Sequence, residues 1–254
     1  MEIQDCWRYG SHTSKIIIMA GFIRKLKQSW RRKRLSLHDI NEARSVEQLT
    51  VGSGGGAWVV SPKSLGEDSI VYSFGAGTDI SFDLEMQAKF NCHVHIFDPT
   101  PRSVQWIGQQ SLPERIWFHP CGIGNQDGSI VFFPPKRKTS SHFSPVPRYR
   151  NSTDRAGVEA PVKRLGSFLT ELDHDRIDVL KIDIEGGEYD ILEDVLSTNV
   201  EIDQLLLEFH HAYSTIPLRR TIEAVKRIQL AGFELFHLSQ RTYEMSFIHR
   251  RVTI

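Results

Sequence analysis

The stretch Ile70–Pro101, IVYSFGAGTDISFDLEMQAKFNCHVHIFDPTP, constrains the fold more than any other part of the chain. Ile70–Phe74 is a short β-branched and aromatic run that stops at a glycine, the pattern of a buried strand. Gly75-Ala76-Gly77 follows as a turn in which two residues lack the Cβ that keeps a ligand away from the backbone. Residues 80–90 read as a helix, and a second apolar run, Val94–Phe97, ends on Asp98. Strand, glycine turn, helix, strand and acidic end make one unit of an open α/β sheet. Asp98 stands 98 − 75 = 23 positions after Gly75. At that spacing a carboxylate can take the ribose hydroxyls of a nucleotide cofactor whose other end lies over the glycine turn.

The turn also discriminates between cofactors. A dinucleotide site normally carries a third glycine, which lets the helix pack close to the strand and bind pyrophosphate. Ile80 occupies that position, so a cofactor without phosphates fits better, and S-adenosylmethionine is the common one. Gly52 and Gly54-Gly55-Gly56 are followed by no lysine in P-loop spacing, which removes a nucleoside triphosphate site.

Further strands are expected at Ile116–Pro120, Val162–Leu165, Ile177–Ile184 and Gln204–Phe209, with helices over Thr100–Gln110, Glu188–Leu196 and Leu218–Leu230. Phe233–Leu238 and Tyr243–His249 are joined by too few residues for a crossover helix and must pair as a hairpin. Parallel strands closed by a terminal hairpin are the order of a class I methyltransferase, whereas an NAD-binding domain normally continues with parallel strands.

In such a sheet, ligands sit beyond the carboxyl ends of the strands. Asp79, Asp98, Asp183 with Glu185, and Glu208 with His210 and His211 all fall at such ends. Asp183 is the first candidate for a catalytic or substrate-orienting group, because a carboxylate ending an apolar strand is costly to bury without a purpose. The bland alternative is that Asp183 or Glu185 caps the following helix. His210 is the candidate general base, since imidazole titrates near neutrality, against a surface imidazole beside His211. Asp183, Glu208 and His210 also make a candidate Mg²⁺ or Mn²⁺ set of oxygen and imidazole ligands.

Residues 178–196, DVLKIDIEGGEYDILEDVL, together with SFGAGTDISFD and IFDPTP, resemble the FkbM-type methyltransferases over about residues 50–250. The resemblance implies an α/β Rossmann-like fold with a mostly parallel seven-stranded sheet, S-adenosylmethionine as methyl donor, and O-methylation of a hydroxyl on a sugar or natural-product-like small molecule. It implies that Gly75, Ala76, Gly77 and Asp79 line the methionine end, that Asp98 and Pro99 meet the ribose region, and that Cys121, Gly122 and Ile123 lie near the adenine. The first strand of the family usually ends in an acid two positions before the first glycine, where it holds the methionine amino group. Ser73 stands there, and Asp79 is the expected substitute. An NAD-linked oxidoreductase and a non-catalytic interaction module on the same fold are the competing readings.

Charge and cysteine content bound the partners. Residues 1–34 hold nine Lys and Arg against two acids, so of the 31 of each sign, 22 against 29 remain for residues 35–254, which carry about −7. A mildly acidic domain does not point to nucleic acid. The expected organisation is a basic, poorly structured extension over residues 1–34 and one domain over 35–254. Residues 24–34 are a candidate membrane-surface helix, against a solvated helix face. Met19 is an alternative start. Cys6, Cys92 and Cys121, odd in number and without metal spacing, suggest free thiols in a reducing compartment such as the cytoplasm. The proline-rich, basic residues 134–161 read as a long loop, a lid or substrate-binding segment against a solvated loop.

Overall fold

A computed structural model describes residues 8–135, 142–147 and 156–252. The chain opens with α1 (Arg8–Ser36) and an antiparallel pair, β1 (Leu49–Val51) and β2 (Trp58–Val60). Then come β3 (Ile70–Phe74), α2 (Ser81–Phe90), β4 (His93–Phe97), α3 (Pro101–Ile107) and β5 (Ile116–His119). Three short strands follow, β6 (Gly122–Ile123), β7 (Gly128–Phe132) and β8 (Val158–Lys163). The chain continues through α4 (Leu165–Leu172), β9 (Arg176–Ile182), α5 (Glu188–Ser197), β10 (Glu201–Glu208) and α6 (Leu218–Leu230), and ends in β11 (Phe233–Leu238) and β12 (Glu244–His249).

The main sheet has seven strands in the order β11-β12-β10-β9-β3-β4-β5. β10, β9, β3, β4 and β5 run parallel, while β12 is antiparallel to both β10 and β11. The terminal hairpin is therefore as expected, and β12 enters between β10 and β11. Burial on both faces explains the unbroken apolar runs of the central strands. Tyr72, Phe74, Leu180, Ile182, Leu205 and Leu207 point into one core with α4, α5 and α6; Val71, Val179 and Leu206 point into the other with α2. α2 stops where Asn91 adopts φ +54 and returns its N–H to the Gln87 carbonyl.

Two regions differ from expectation. Residues 8–34 form most of α1 rather than a poorly structured extension: no proline interrupts them, and the helix end is pinned by fully buried Leu35 and by Arg31 Nη1 donating to the Tyr243 hydroxyl at 2.6 Å. No helix of the described residues is long and apolar enough to cross a membrane. The second difference is a separate sheet, β6-β8-β7, inserted between β5 and α4. β7 was not foreseen, because its short alternating run borders a proline-rich loop, and β8 starts four residues before the expected strand. The basic runs at 136–138 and 148–155 lie outside the described residues.

Candidate active site

A cavity of about 660 Å³ opens at the carboxyl ends of β3, β4 and β9, roofed by the inserted sheet. Its size lies in the range of roughly 300–1,000 Å³ usual for small-molecule sites. Gly75, Ala76, Gly77, Asp79, Asp98, Pro99, Gly122, Ile123, Asp183 and Glu185 all line it. Cys121 does not, and packs against the main core instead. His210 stands behind the wall, reaching the cavity only through its carboxylate neighbours.

The glycine turn is fixed by its surroundings. Gly75 has φ +86, and a Cβ there would lie 1.7 Å from the Asp183 carbonyl oxygen, so β3 and β9 meet only across a glycine. Asp98, 4% exposed, holds the turn from β4. Its Oδ2 accepts the Gly77 N–H at 2.9 Å, and its Oδ1 accepts the Thr100 N–H at 2.9 Å and hydroxyl at 2.7 Å. Burial raises its pKa and these bonds draw it back. Asp79 is engaged locally, with Oδ1 accepting the Ser81 N–H at 3.0 Å.

The opposite wall is a cluster of charges after β9 and β10. Glu188, fully buried, reaches back from the start of α5: Oε1 accepts the N–H groups of Ile184 at 3.0 Å and Gly186 at 3.1 Å. Glu188, rather than Asp183 or Glu185, thus satisfies the backbone of this turn, and the sequence reading missed it. Glu185 sits at φ +57, a left-handed conformation of the kind that clusters at functional sites. It accepts from the Tyr213 hydroxyl and pairs with His142. Ser144 ties residues 142–147 to the same turn, its hydroxyl 2.6 Å from the Glu185 carbonyl oxygen. None of these three partners carries a signal in sequence, since each arrives from a distant loop.

His210 lies between the carboxylates, with Nδ1 2.9 Å from Glu188 Oε1, and Nε2 3.2 Å from Glu185 Oε2 and 3.8 Å from Asp183 Oδ1. Burial alone would lower its pKa, but Glu188, Glu185 and Asp183 together raise it well above the ordinary value. Glu208 moves up to about 9, first through burial and then through Asp183. Asp183 is also raised, by burial, and its Oδ1 is buried without a hydrogen-bond partner among the described residues. Asp183, Glu188 and His210 bring ligand atoms within 4.8 Å of one another, so the set expected with Glu208 is met instead with Glu188. Both nitrogens of His210 face carboxylates, an arrangement that suits an imidazolium better than a metal ligand.

Seven strands in this order, with a glycine turn after the first and an acid after the second, define a class I methyltransferase fold. The family model of the methyltransferase FkbM domain matches residues 70–243, and the chain belongs to that family. It is 30% identical over 178 residues to the probable methyltransferase-like protein 24 of Rattus norvegicus, a match covering 66% of this chain and 42% of that one. Methyltransferase 1 of Beauveria bassiana is 24% identical over 188 residues, covering 65% of this chain and 74% of that protein. The match therefore spans about two fifths of the length of the methyltransferase-like 24 protein. Among solved structures, the Methanococcus jannaschii fibrillarin pre-rRNA processing protein aligns with a TM-score of 0.45 and 11% identity, over 83% of this chain and 86% of that one.

Proposed function

We propose that residues 35–254 are one S-adenosylmethionine-dependent methyltransferase domain that methylates a hydroxyl of a sugar or natural-product-like small molecule. The observation carrying this reading is a single cavity with the Gly75–Gly77 turn and Asp98 at one end and the Asp183 carboxylate at the other. The residues present suit the cofactor: the turn admits a backbone-hugging ligand, and Asp98, with Oδ1 taken twice by Thr100 and Oδ2 once by Gly77, keeps one lone pair of Oδ2 free for a ribose hydroxyl. When bound, S-adenosylmethionine supplies an electrophilic methyl carbon, so the protein has chiefly to align the acceptor oxygen and remove its proton.

Asp183 is the acceptor of that proton in our reading. Its raised pKa makes it a stronger base than an exposed carboxylate, and no hydrogen bond ties up Oδ1, whose nearest cationic neighbour, His210 Nε2, is 3.8 Å away. Protonated His210 is no base; it offsets the charges of Glu185, Glu188 and Asp183 and holds them in place. The dinucleotide alternative is disfavoured by the family match and by antiparallel β12. Free thiols at Cys92 and Cys121 suit a reducing compartment such as the cytoplasm.

Calorimetric titration with S-adenosylhomocysteine, with and without Mg²⁺, tests the reading. Micromolar binding by the wild type, lost in a folded Asp98→Ala variant, is expected. Absence of binding under every condition sinks it, and binding that requires Mg²⁺ moves Asp183, Glu188 and His210 from proton transfer to metal ligation.

A further inference from the structure

Beneath α2 the cavity wall carries a group of polar side chains that the reading above does not use. Ser73 and Lys181 are register partners on β3 and β9, and Asp83 of α2 packs beside both. All three are buried, at 0%, 5% and 1% exposure. Asp83 and Lys181 line the cavity on the side of the glycine turn. Lys181 Nζ lies 3.5 Å from the Gly75 carbonyl oxygen and 5.4 Å from the Trp58 ring centroid. Asp83 Oδ1 and Ser73 Oγ are buried with no hydrogen-bond partner among the described residues. Lys181 offsets the Asp83 charge, but a buried carboxylate oxygen without a hydrogen bond stays expensive unless a donor meets it in the working state.

A carboxylate and an ammonium side by side, next to a glycine turn, are the complement of an α-amino acid zwitterion. We propose that Asp83 and Lys181 form the seat for the amino-acid end of the cofactor, Asp83 receiving its α-ammonium and Lys181 its α-carboxylate. This inference rests on the S-adenosylmethionine reading and assigns residues that the sequence did not. Ser73 stands where an acid normally closes the first strand, and Asp83 returns that carboxylate to the same face from the neighbouring helix. Asp79, the substitute expected from sequence, is committed to the Ser81 amide and lies against Gly56.

The test compares two ligands on the full chain by calorimetry. S-adenosylhomocysteine carries the amino-acid end, and 5′-methylthioadenosine ends at the thioether. Asp83→Asn, close in shape to the native residue, is expected to weaken S-adenosylhomocysteine at least about tenfold, the scale of a lost charged hydrogen bond, while changing 5′-methylthioadenosine less than twofold. Lys181→Met is expected to weaken S-adenosylhomocysteine similarly, but not its decarboxylated analogue. That analogue also reads the Lys181 contact on wild-type protein, so the test survives a variant that fails to fold. Equal losses for both ligands, or no loss for either, overturn the seat and leave the cofactor reading standing. Failure of wild-type protein to bind any of the three removes the cofactor reading, and the seat with it.

Discussion

Histidines gather at two places in this molecule, and the two places treat the imidazole in opposite ways. On one face of β4 and β5, His95 is flanked by Trp117 at 4.9 Å and by His119, whose Nε2 is 3.1 Å from His95 Nδ1. Phe97 stacks on His119 at 4.6 Å, and His174 bonds the Tyr72 hydroxyl at 2.8 Å. Burial, with help from His119, His174 and His93, pushes the His95 pKa down to about 3. At the end of β10, His210 is just as inaccessible, 8% exposed against 6%, yet its pKa is raised. Burial pulls all of these histidines toward the neutral form, and only carboxylate partners reverse it. Even neighbouring His211, which meets the Thr221 hydroxyl at 3.1 Å rather than a carboxylate, falls to about 3. Rings and hydroxyls make a packing histidine, and carboxylates make an ionic one.

The largest effect is expected from breaking the ionic side. Glu188→Ala strands the Ile184 and Gly186 amides and removes one anion from a buried cation. A loss of about 3–5 kcal/mol is expected for a buried pair missing one partner, read as a drop in the urea midpoint. Its pH dependence has a definite sign. A histidine raised in the folded state contributes stability that is full below its unfolded value of about 6.5 and fades as pH rises through the folded value. The gap between wild type and Glu188→Ala should therefore be widest below pH 6.5 and narrow at alkaline pH to the cost of the two stranded amides. A gap that stays constant across pH would mean that His210 is not a cation, and the contrast with His95 would collapse.

The packing side should respond the other way. For His95 the folded pKa is depressed, so the unfolded chain takes up the proton first and stability falls as pH drops below about 6.5. With a folded value near 3, the loss at pH 5 is about 1.5 units, or about 2 kcal/mol. His95→Phe keeps a ring among Trp117, Phe97 and His119 and has nothing to protonate. It is expected to recover about that amount between pH 8 and pH 5, measured as the change in the urea midpoint. A variant as acid-labile as the wild type would place the lability elsewhere, first in His119 and His174, which burial also depresses.

What was legible in the sequence follows the same division. Apolar runs ending at Phe74, Phe97 and Ile182 announced the central strands, because both faces of a parallel sheet need the same hydrophobic residues. The Gly75 turn and Asp98 were legible for a related reason, since their spacing is set within one βαβ unit. Groups brought from far along the chain were not. Glu188 looked like an ordinary helix residue until its carboxylate was found on Ile184 and Gly186, and Tyr213 and Ser144 reach Glu185 from separate loops. The same holds for the histidine face. His95 and His119 lie inside the runs Val94–Phe97 and Ile116–Pro120 without a signal of their own, and only the β4–β5 register places their rings in contact.

The smallest expected effect gives the sharpest test of the cause. Trp117 is 40% exposed and stacks on His93 at 5.7 Å as well as on His95. Its replacement by alanine removes two stacking contacts at a partly wet edge, a cost of about 1 kcal/mol at pH 8. It also admits water to His95, and since desolvation is the main reason that ring resists protonation, its pKa should climb back toward 6.5. The variant then has less to lose in acid. Trp117→Ala should trail the wild type at pH 8 and draw level or nearly so at pH 5, because its stacking penalty is offset by the relief of His95. If the penalty is instead equal at both pH values, the neighbouring histidines rather than the missing water hold His95 neutral. Its depression would then be electrostatic in origin, like the elevation of His210.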